Sequence, residues 1–331
     1  MSFVLACVLL QAVTAHPFFP ADQSTSESAA SSPDIAEASK LTQEVVKLFG
    51  EKRYRDALPM AKQALRIREK VLGPDDELIA FSLNNLAEIH FAETRYSDAE
   101  PLFKKSLGIL EKKWGHDSGN LTNTMERLAL TRFALNDNGG AEHLYLRALA
   151  INEKVSGPVA LVTGRTLTKV GIFFQRTNRL ERAADYFKRG IAAIDKAPGA
   201  DDQEVVDLLY RCACALSESN QSAEAQKYLE RAEKRLPPSS PVKKGVLQGQ
   251  ATYTTRPEYP AAAKQLRITG SVLVEVVIDE CGRVMSAAAL KGRSELAPAA
   301  VKAARAWRFL PTKLEGRPVK VIGAITFNFE M

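Results

Sequence analysis

Histidine, cysteine, serine and lysine are the residues of this chain with chemistry to offer, and their spacing decides whether they use it. His16, His90, His116 and His143 stand alone, without a ligand-spaced cysteine or carboxylate beside them, so neither a metal site nor a cofactor is expected. His90 falls at an aromatic position of a helical pattern, where packing accounts for it. Ser240-Pro241-Val242-Lys243 has the spacing of a lysine-activated serine, but it lies in a Pro/Ser/Lys stretch without companion motifs. The sequence has no P-loop, G-x-S-x-G or G-x-G-x-x-G. Cys212 and Cys214 are two apart on an expected helix, so they point to opposite sides and cannot bridge each other. Both read as small buried hydrophobes, and Cys281 as an exposed thiol in a hairpin turn. No catalytic set converges, so the reading is a binding protein and not an enzyme.

The 331 residues are 45% hydrophobic and 25% charged, a globular composition large enough for two domains and unlike a polytopic membrane protein. Charge is unevenly placed. From Pro241 onward there are 14 Lys/Arg and 7 Asp/Glu, whereas residues 1–240 hold 31 and 32. All the positive excess therefore sits in the last quarter, which implies two parts with different partners. Phe3 to Ala15 is an apolar run shorter than the roughly 20 residues of a membrane-spanning helix. It reads as a secretory signal with a small-residue cleavage site before His16, or as a short anchor (residues 1–15). No basic residue precedes Lys40, so the usual positive flank is missing. Residues 16–37 read as a Ser/Ala-rich tether.

Residues 38–236 carry a 42-residue period. Ala57, Ala99, Ala141, Ala183 and Ala225 recur without insertion. Large residues follow four positions on (Phe103, Tyr145, Phe187, Leu229, with Ala61 in the first copy) and small ones seven on (Ala64, Ser106, Ala148, Gly190, Ala232). Leu86-Ala87, Leu128-Ala129, Val170-Gly171 and Cys212-Ala213 occupy a close-packed place on a preceding helix, and Gly73, Gly115, Gly157 and Gly199 end the second helix of each unit. Small residues let two antiparallel helices approach, and the large residue fills the gap to the next pair, so no copy buries its face alone. These positions resemble the tetratricopeptide repeat, in its kinesin-light-chain form, with a degenerate first copy. The resemblance implies a peptide groove lined by first helices, and its positions fall on Asn84, Glu88, Glu126, Thr168, Gln175 and Tyr210. Read from the residues alone, each is a polar residue on a solvated helix face.

Residues 237–250 read as a linker, after which the period becomes two. Val272, Val274, Val276 and Ile278 share one face of a strand, Asp279 to Gly282 turn, and Arg283 to Leu290 return. Leu296 to Phe309 is helical, with Ala299, Val301, Ala304 and Trp307 toward the core, and Val319 to Phe329 alternate as a third strand. The expected fold is thus two-domain: an all-α repeat solenoid, then a small α+β domain (251–331) with a three-stranded antiparallel sheet and a helix. A long terminal strand at a sheet edge, if uncovered, is a template for strand addition. Arg256, Lys264, Arg267, Arg283 and Arg293 would favour an acidic partner segment, or serve only to keep the surface soluble.

The marks Tyr259-Pro260, Gly270, Asp279, Gly282-Arg283-Val284, Trp307-Arg308-Phe309, Gly316 and Pro318-Val319 are similar to the TonB carboxy-terminal domain. That resemblance implies a periplasmic domain that captures a short peptide of an outer-membrane receptor by strand pairing. Carried over, the pairing strand is Val319, Lys320, Val321, Ile322, Gly323, Ala324 and Ile325. The reading is a periplasmic interaction protein whose partners are an outer-membrane receptor peptide or another envelope protein. Two alternatives are an anchored energy transducer coupled to an ExbB–ExbD motor and a repeat scaffold of the envelope. Neither nucleic acid nor a small-molecule substrate is expected.

Overall fold

The computed structural model describes residues 32–195, 197–235, 241–247, 251–314 and 317–330. The apolar run 1–15 and most of the tether lie outside them. The tether's last residues do not, because Pro33 opens a helix: proline's missing N–H costs nothing in a first turn.

The described residues of the repeat region form α1 (Pro33–Gly50), α2 (Tyr54–Val71), α3 (Glu77–Ala92), α4 (Tyr96–Trp114), α5 (Thr122–Ala134), α6 (Asn138–Ser156), α7 (Leu161–Arg176), α8 (Leu180–Ile194), α9 (Asp202–Glu218) and α10 (Ser222–Arg235). α1 packs against α2, α3 against α4, α5 against α6 and α9 against α10, as the period requires. The alanines at the 42-residue interval are all buried, as are Phe103, Tyr145 and Phe187. Asp76 and Asp201 cap α3 and α9 by accepting an N–H two residues on, 2.8 Å away in each case. The turn after each repeat's first helix is left-handed, at Lys52, Thr94, Asn136, Asn178 and Asn220, again 42 apart. Gly115, Gly157 and Gly199 also have positive φ and end or follow a second helix. Gly73 does not share that conformation; α2 stops at Val71, and its C-cap Leu72 is extended.

The chain divides into two compact units, one through Phe173 and one from Phe174. The second contains α8 to α10 and the small domain.

That domain consists of β1 (Val242–Val246), β2 (Ala251–Tyr253), α11 (Ala261–Gln265), β3 (Gly270–Ile278), β4 (Val284–Lys291), α12 (Ala297–Ala306), β5 (Arg308–Phe309), β6 (Lys313–Leu314), β7 (Arg317–Pro318) and β8 (Val321–Phe329). The three expected strands are present and antiparallel, β3 pairing with both β4 and β8. The sheet nevertheless has four strands, in the order β1-β8-β3-β4, and it is mixed. Its fourth strand comes from the segment read as linker: β1 lies parallel to β8. Val242, Lys243 and Lys244 have no alternating apolar pattern, and Leu247, just beyond the strand, is held in the core. The core joins the alternate residues Val272, Val274, Val276, Val321, Ile325, Phe327 and Phe329 to one side of α12. That side is Ala300, Ala303 and Ala304, offset from the expected Ala299 and Val301, which are only partly buried.

Candidate partner-strand site and repeat face

The marks of the small domain have physical reasons. Asp279 organises the β3–β4 turn. Its Oδ1 accepts the N–H groups of Cys281 (2.9 Å) and Arg283 (2.8 Å), and its Oδ2 accepts Nε of Arg283 (2.9 Å). Gly282 has φ +82°, and a Cβ there would lie 1.9 Å from the Phe309 carbonyl oxygen, so the turn requires glycine. Trp307 donates Nε1–H to the Thr255 carbonyl (2.9 Å) and stands edge-on to Phe327, while Tyr259 donates to the Ile268 carbonyl (2.6 Å) and meets Phe329 edge-on. These contacts fix β8 against the helix layer.

The other edge of β8 faces β1. Val242 pairs with Val321, Lys243 with Ile322 and Val246 with Ala324, with a register shift between Lys243 and Val246. Val242 N–H donates to the Lys320 carbonyl and Leu247 N–H to that of Ala324, each at 2.9 Å. Carbonyls two and four apart along a strand point the same way, so Lys320, Ile322 and Ala324 present their backbone groups to this edge, and Val321, Gly323 and Ile325 present theirs to β3. Val319 lies just outside β8, where its N–H donates to the Thr312 carbonyl (2.9 Å). The strand expected at an open edge is thus an inner strand, because its own chain already pairs with it.

Two sequence expectations change at the turn. Cys281 is not a free thiol: it forms a disulfide with Cys214 on α9, 67 residues away, with 5.5 Å between their Cα atoms. The opposition of Cys212 and Cys214 on their helix is what leaves Cys214 facing the turn. Cys212 remains buried and unbridged, as expected, and burial pushes its thiol up to about 12. Arg283, read as available to an acidic partner, is engaged by Asp279 and by Ser217 Oγ of α9. Asp207 of α9 accepts from Lys313 (2.6 Å). Asp207, Cys214 and Ser217 follow helical spacing, so one stripe of the last repeat's first helix carries the small domain.

Most of the repeat-face residues are likewise buried or engaged. Asn84, Glu88, Glu126 and Tyr210 are buried, the first two only 1% and 2% exposed, so the solvated-face reading of them fails. Asn84 Nδ2 donates to Thr124 Oγ1 (3.0 Å), and Glu88 forms a two-pronged ion pair with Arg127. Glu126 accepts from Thr166 Oγ1 (2.6 Å) and pairs with Lys169. The partners are 39 to 43 residues apart, one repeat, so these groups tie the first helices α3, α5 and α7 in sequence. Thr168 is half-buried and bonds the Gly164 carbonyl of its own helix (3.0 Å); Gln175 is half-buried. Sequence reasoning missed the ladder's other members, Arg127, Thr124, Thr166 and Lys169; their signal was polar residues one repeat beyond the chosen ones.

Among the described residues no group of His, Cys, Asp and Glu is arranged to hold a metal ion, and no helix is long and apolar enough to cross a membrane. Residues 255–331 match the family model described as Gram-negative bacterial TonB protein C-terminal, and residues 48–112 and 120–196 match that of the tetratricopeptide repeat. No curated protein matches the sequence. Among solved structures, BtubC (BKLC) from P. vanneervenii is 17% identical with a TM-score of 0.56, over 61% of this chain and 80% of that one. A putative kinesin light chain from Podosopora anserina with nearly identical TPR-like repeats is 16% identical with a TM-score of 0.54, over 62% and 96%. These likenesses concern the fold of the repeats. Both matched families are binding or scaffold domains, and the first is a periplasmic one, which gives the chain a protein-interaction role in the envelope.

Proposed function

We propose that this chain, in which tetratricopeptide repeats precede a TonB-type carboxy-terminal domain, is a non-enzymatic periplasmic protein that captures an extended segment of an outer-membrane receptor or other envelope protein along β8. The observation that carries the reading is the outer edge of β8 itself, which takes a parallel strand with backbone hydrogen bonds at Lys320 and Ala324. A disulfide is a feature of oxidising compartments and supports export. The repeats serve as a spacer first: the polar residues nominated for a peptide groove are used to hold neighbouring repeats together.

The test uses the full chain and synthetic segments from the periplasmic termini of outer-membrane receptors, with binding read by fluorescence anisotropy. Ile322→Pro and Ala324→Pro remove N–H groups directed at the outer edge and should abolish binding. Lys302→Ala, an exposed change on α12, should leave it intact. Circular dichroism melting separates lost binding from lost folding. Undiminished binding by both proline variants would sink strand addition.

A further inference from the structure

The strand already on β8 describes what that edge accepts. Three observations bear on it. First, Leu247 is 1% exposed and packs in the core with Val321 and Ile325, although it comes from a segment otherwise half-buried or exposed where described. Second, the space it occupies is made by Gly323: a Cβ there would lie 2.4 Å from Leu247 Cδ1 and 3.1 Å from the Gly245 carbonyl oxygen. Third, the two sides of β8 are held unequally. Toward β3 it keeps nine consecutive register pairs, from Gly270–Phe329 to Ile278–Val321. Toward β1 it has three, interrupted by a register shift, on a five-residue strand containing a glycine. A short, irregular, glycine-bearing edge strand is among the first elements to open, while β8 stays anchored.

We propose that Val242–Leu247 is an exchangeable internal ligand. It keeps the edge of β8 covered until a partner segment displaces it. The displacing segment runs parallel to β8 and sets an aliphatic side chain of leucine size into the socket over Gly323. The proposal rests on the strand-capture reading and adds to it a gate and a specificity rule. The partner's recognition element is one branched aliphatic residue placed so that its N–H reaches the Ala324 carbonyl, as that of Leu247 does. Covering the edge also guards against indiscriminate pairing between chains.

The probe is a fluorescein-labelled peptide with this chain's own residues 241–247, added to full-length protein and followed by anisotropy. Leu247→Asp empties the socket, and Val242→Pro removes the bond to the Lys320 carbonyl without touching the core. Each should tighten probe binding about tenfold or more, since affinity is reduced by the fraction of molecules whose edge is covered. A probe with serine in place of its leucine should bind neither variant, and Gly323→Val, which fills the socket, should bind no probe. A Lys243→Cys/Ile322→Cys pair, closed by oxidation across register partners, should abolish uptake. If both releasing variants bind the probe no better than the parent chain, or the closed pair binds it as well as the open form, β1 is a fixed strand and the proposal is wrong. Melting curves identify a variant that has unfolded, in which case the other releasing variant decides. Receptor segments binding the parent chain as tightly as the released variants would overturn the gate and leave strand capture standing. Probe uptake without receptor binding by any variant would overturn strand capture alone.

Discussion

The repeats of the first unit and the small domain of the second bury their polar groups by different rules. In the first unit the ties are repetitive: Asn84 to Thr124, Glu88 to Arg127 and Glu126 to Lys169 each join one helix to its counterpart a repeat later. In the second they are single and distant: Cys214 to Cys281, Ser217 to Arg283, Asp207 to Lys313, and β1 to β8. A periodic tie needs only a good pair of residues repeated. A distant one must first close a loop, and its stability depends on a few contacts. Function that requires exchange of partners is therefore better placed in the second unit, where single contacts can open without unravelling a ladder.

The disulfide gives the largest expected effect on this contrast. Closing a loop of 67 residues removes denatured-state entropy worth about 4 kcal/mol by the chain-entropy relation, an upper figure. Reductant should lower the second unit's urea midpoint, and Cys214→Ser should reproduce the drop and make the protein indifferent to reductant. An unreduced midpoint equal to the reduced one would remove the disulfide from the list of distant ties. Cys212 should resist alkylation until the protein unfolds, because its thiol is buried and far from ionised at neutral pH.

A smaller effect is expected for the ladder. Glu126→Ala leaves Thr166 Oγ1 without its 2.6 Å acceptor and Lys169 without its partner. The loss should be about 1–3 kcal/mol, toward the lower end because Lys169 is partly exposed and can hydrate. Glu126→Gln, which can still accept from Thr166, should lose less. A double-mutant cycle with Lys169→Ala should show coupling, and additivity within error would mean the rung is not an energetic unit.

Smaller again is the turn after each repeat's first helix. Thr94 has φ +61°, where three of the other four copies place asparagine, the side chain that best tolerates this conformation after glycine. Thr94→Asn should raise stability by up to about 1 kcal/mol, read as an increase in denaturation midpoint. A decrease would show that Thr94 makes a contact outweighing its backbone cost.

How much was legible follows the same division. The alanine period, the large residue four places on and the alternation of β3 and β8 are local patterns that bury the side they should, except that Leu229 is only half-buried. The left-handed turns were missed, although Asn136, Asn178 and Asn220 carry a signal for them that Lys52 and Thr94 interrupt. The polar residues of the repeat face were found by position, but their burial was not, since it depends on Arg127, Thr166 and Lys169 a repeat away. Least legible were β1 and the disulfide. A strand of Val242, two lysines, Gly245 and Val246 has no pattern of its own; it exists because β8 offers an edge and Gly323 a socket. Cys281 has no spacing to Cys214 that marks them as partners, since only the docking of the turn on α9 brings them together.

The smallest effect concerns that turn. Glu280 is buried beside Asp279, and burial pushes its carboxyl above the usual range; its own backbone N–H and Lys320, with Nζ 3.9 Å away, act in the opposite direction. A carboxyl raised in the folded state binds its proton more tightly there than in the unfolded chain. Its contribution to stability is therefore fully present below the ordinary glutamate pKa and lost as pH rises through the folded value. Glu280→Gln cannot ionise, so it should match the parent chain in acid and be the more stable of the two at neutral pH. Urea midpoints of both proteins from about pH 4 to about pH 8 measure the difference. A gap that widens with pH assigns the titration to Glu280. A constant gap would mean that Lys320 compensates the buried charge fully, making this a distant tie as well satisfied as any rung of the ladder.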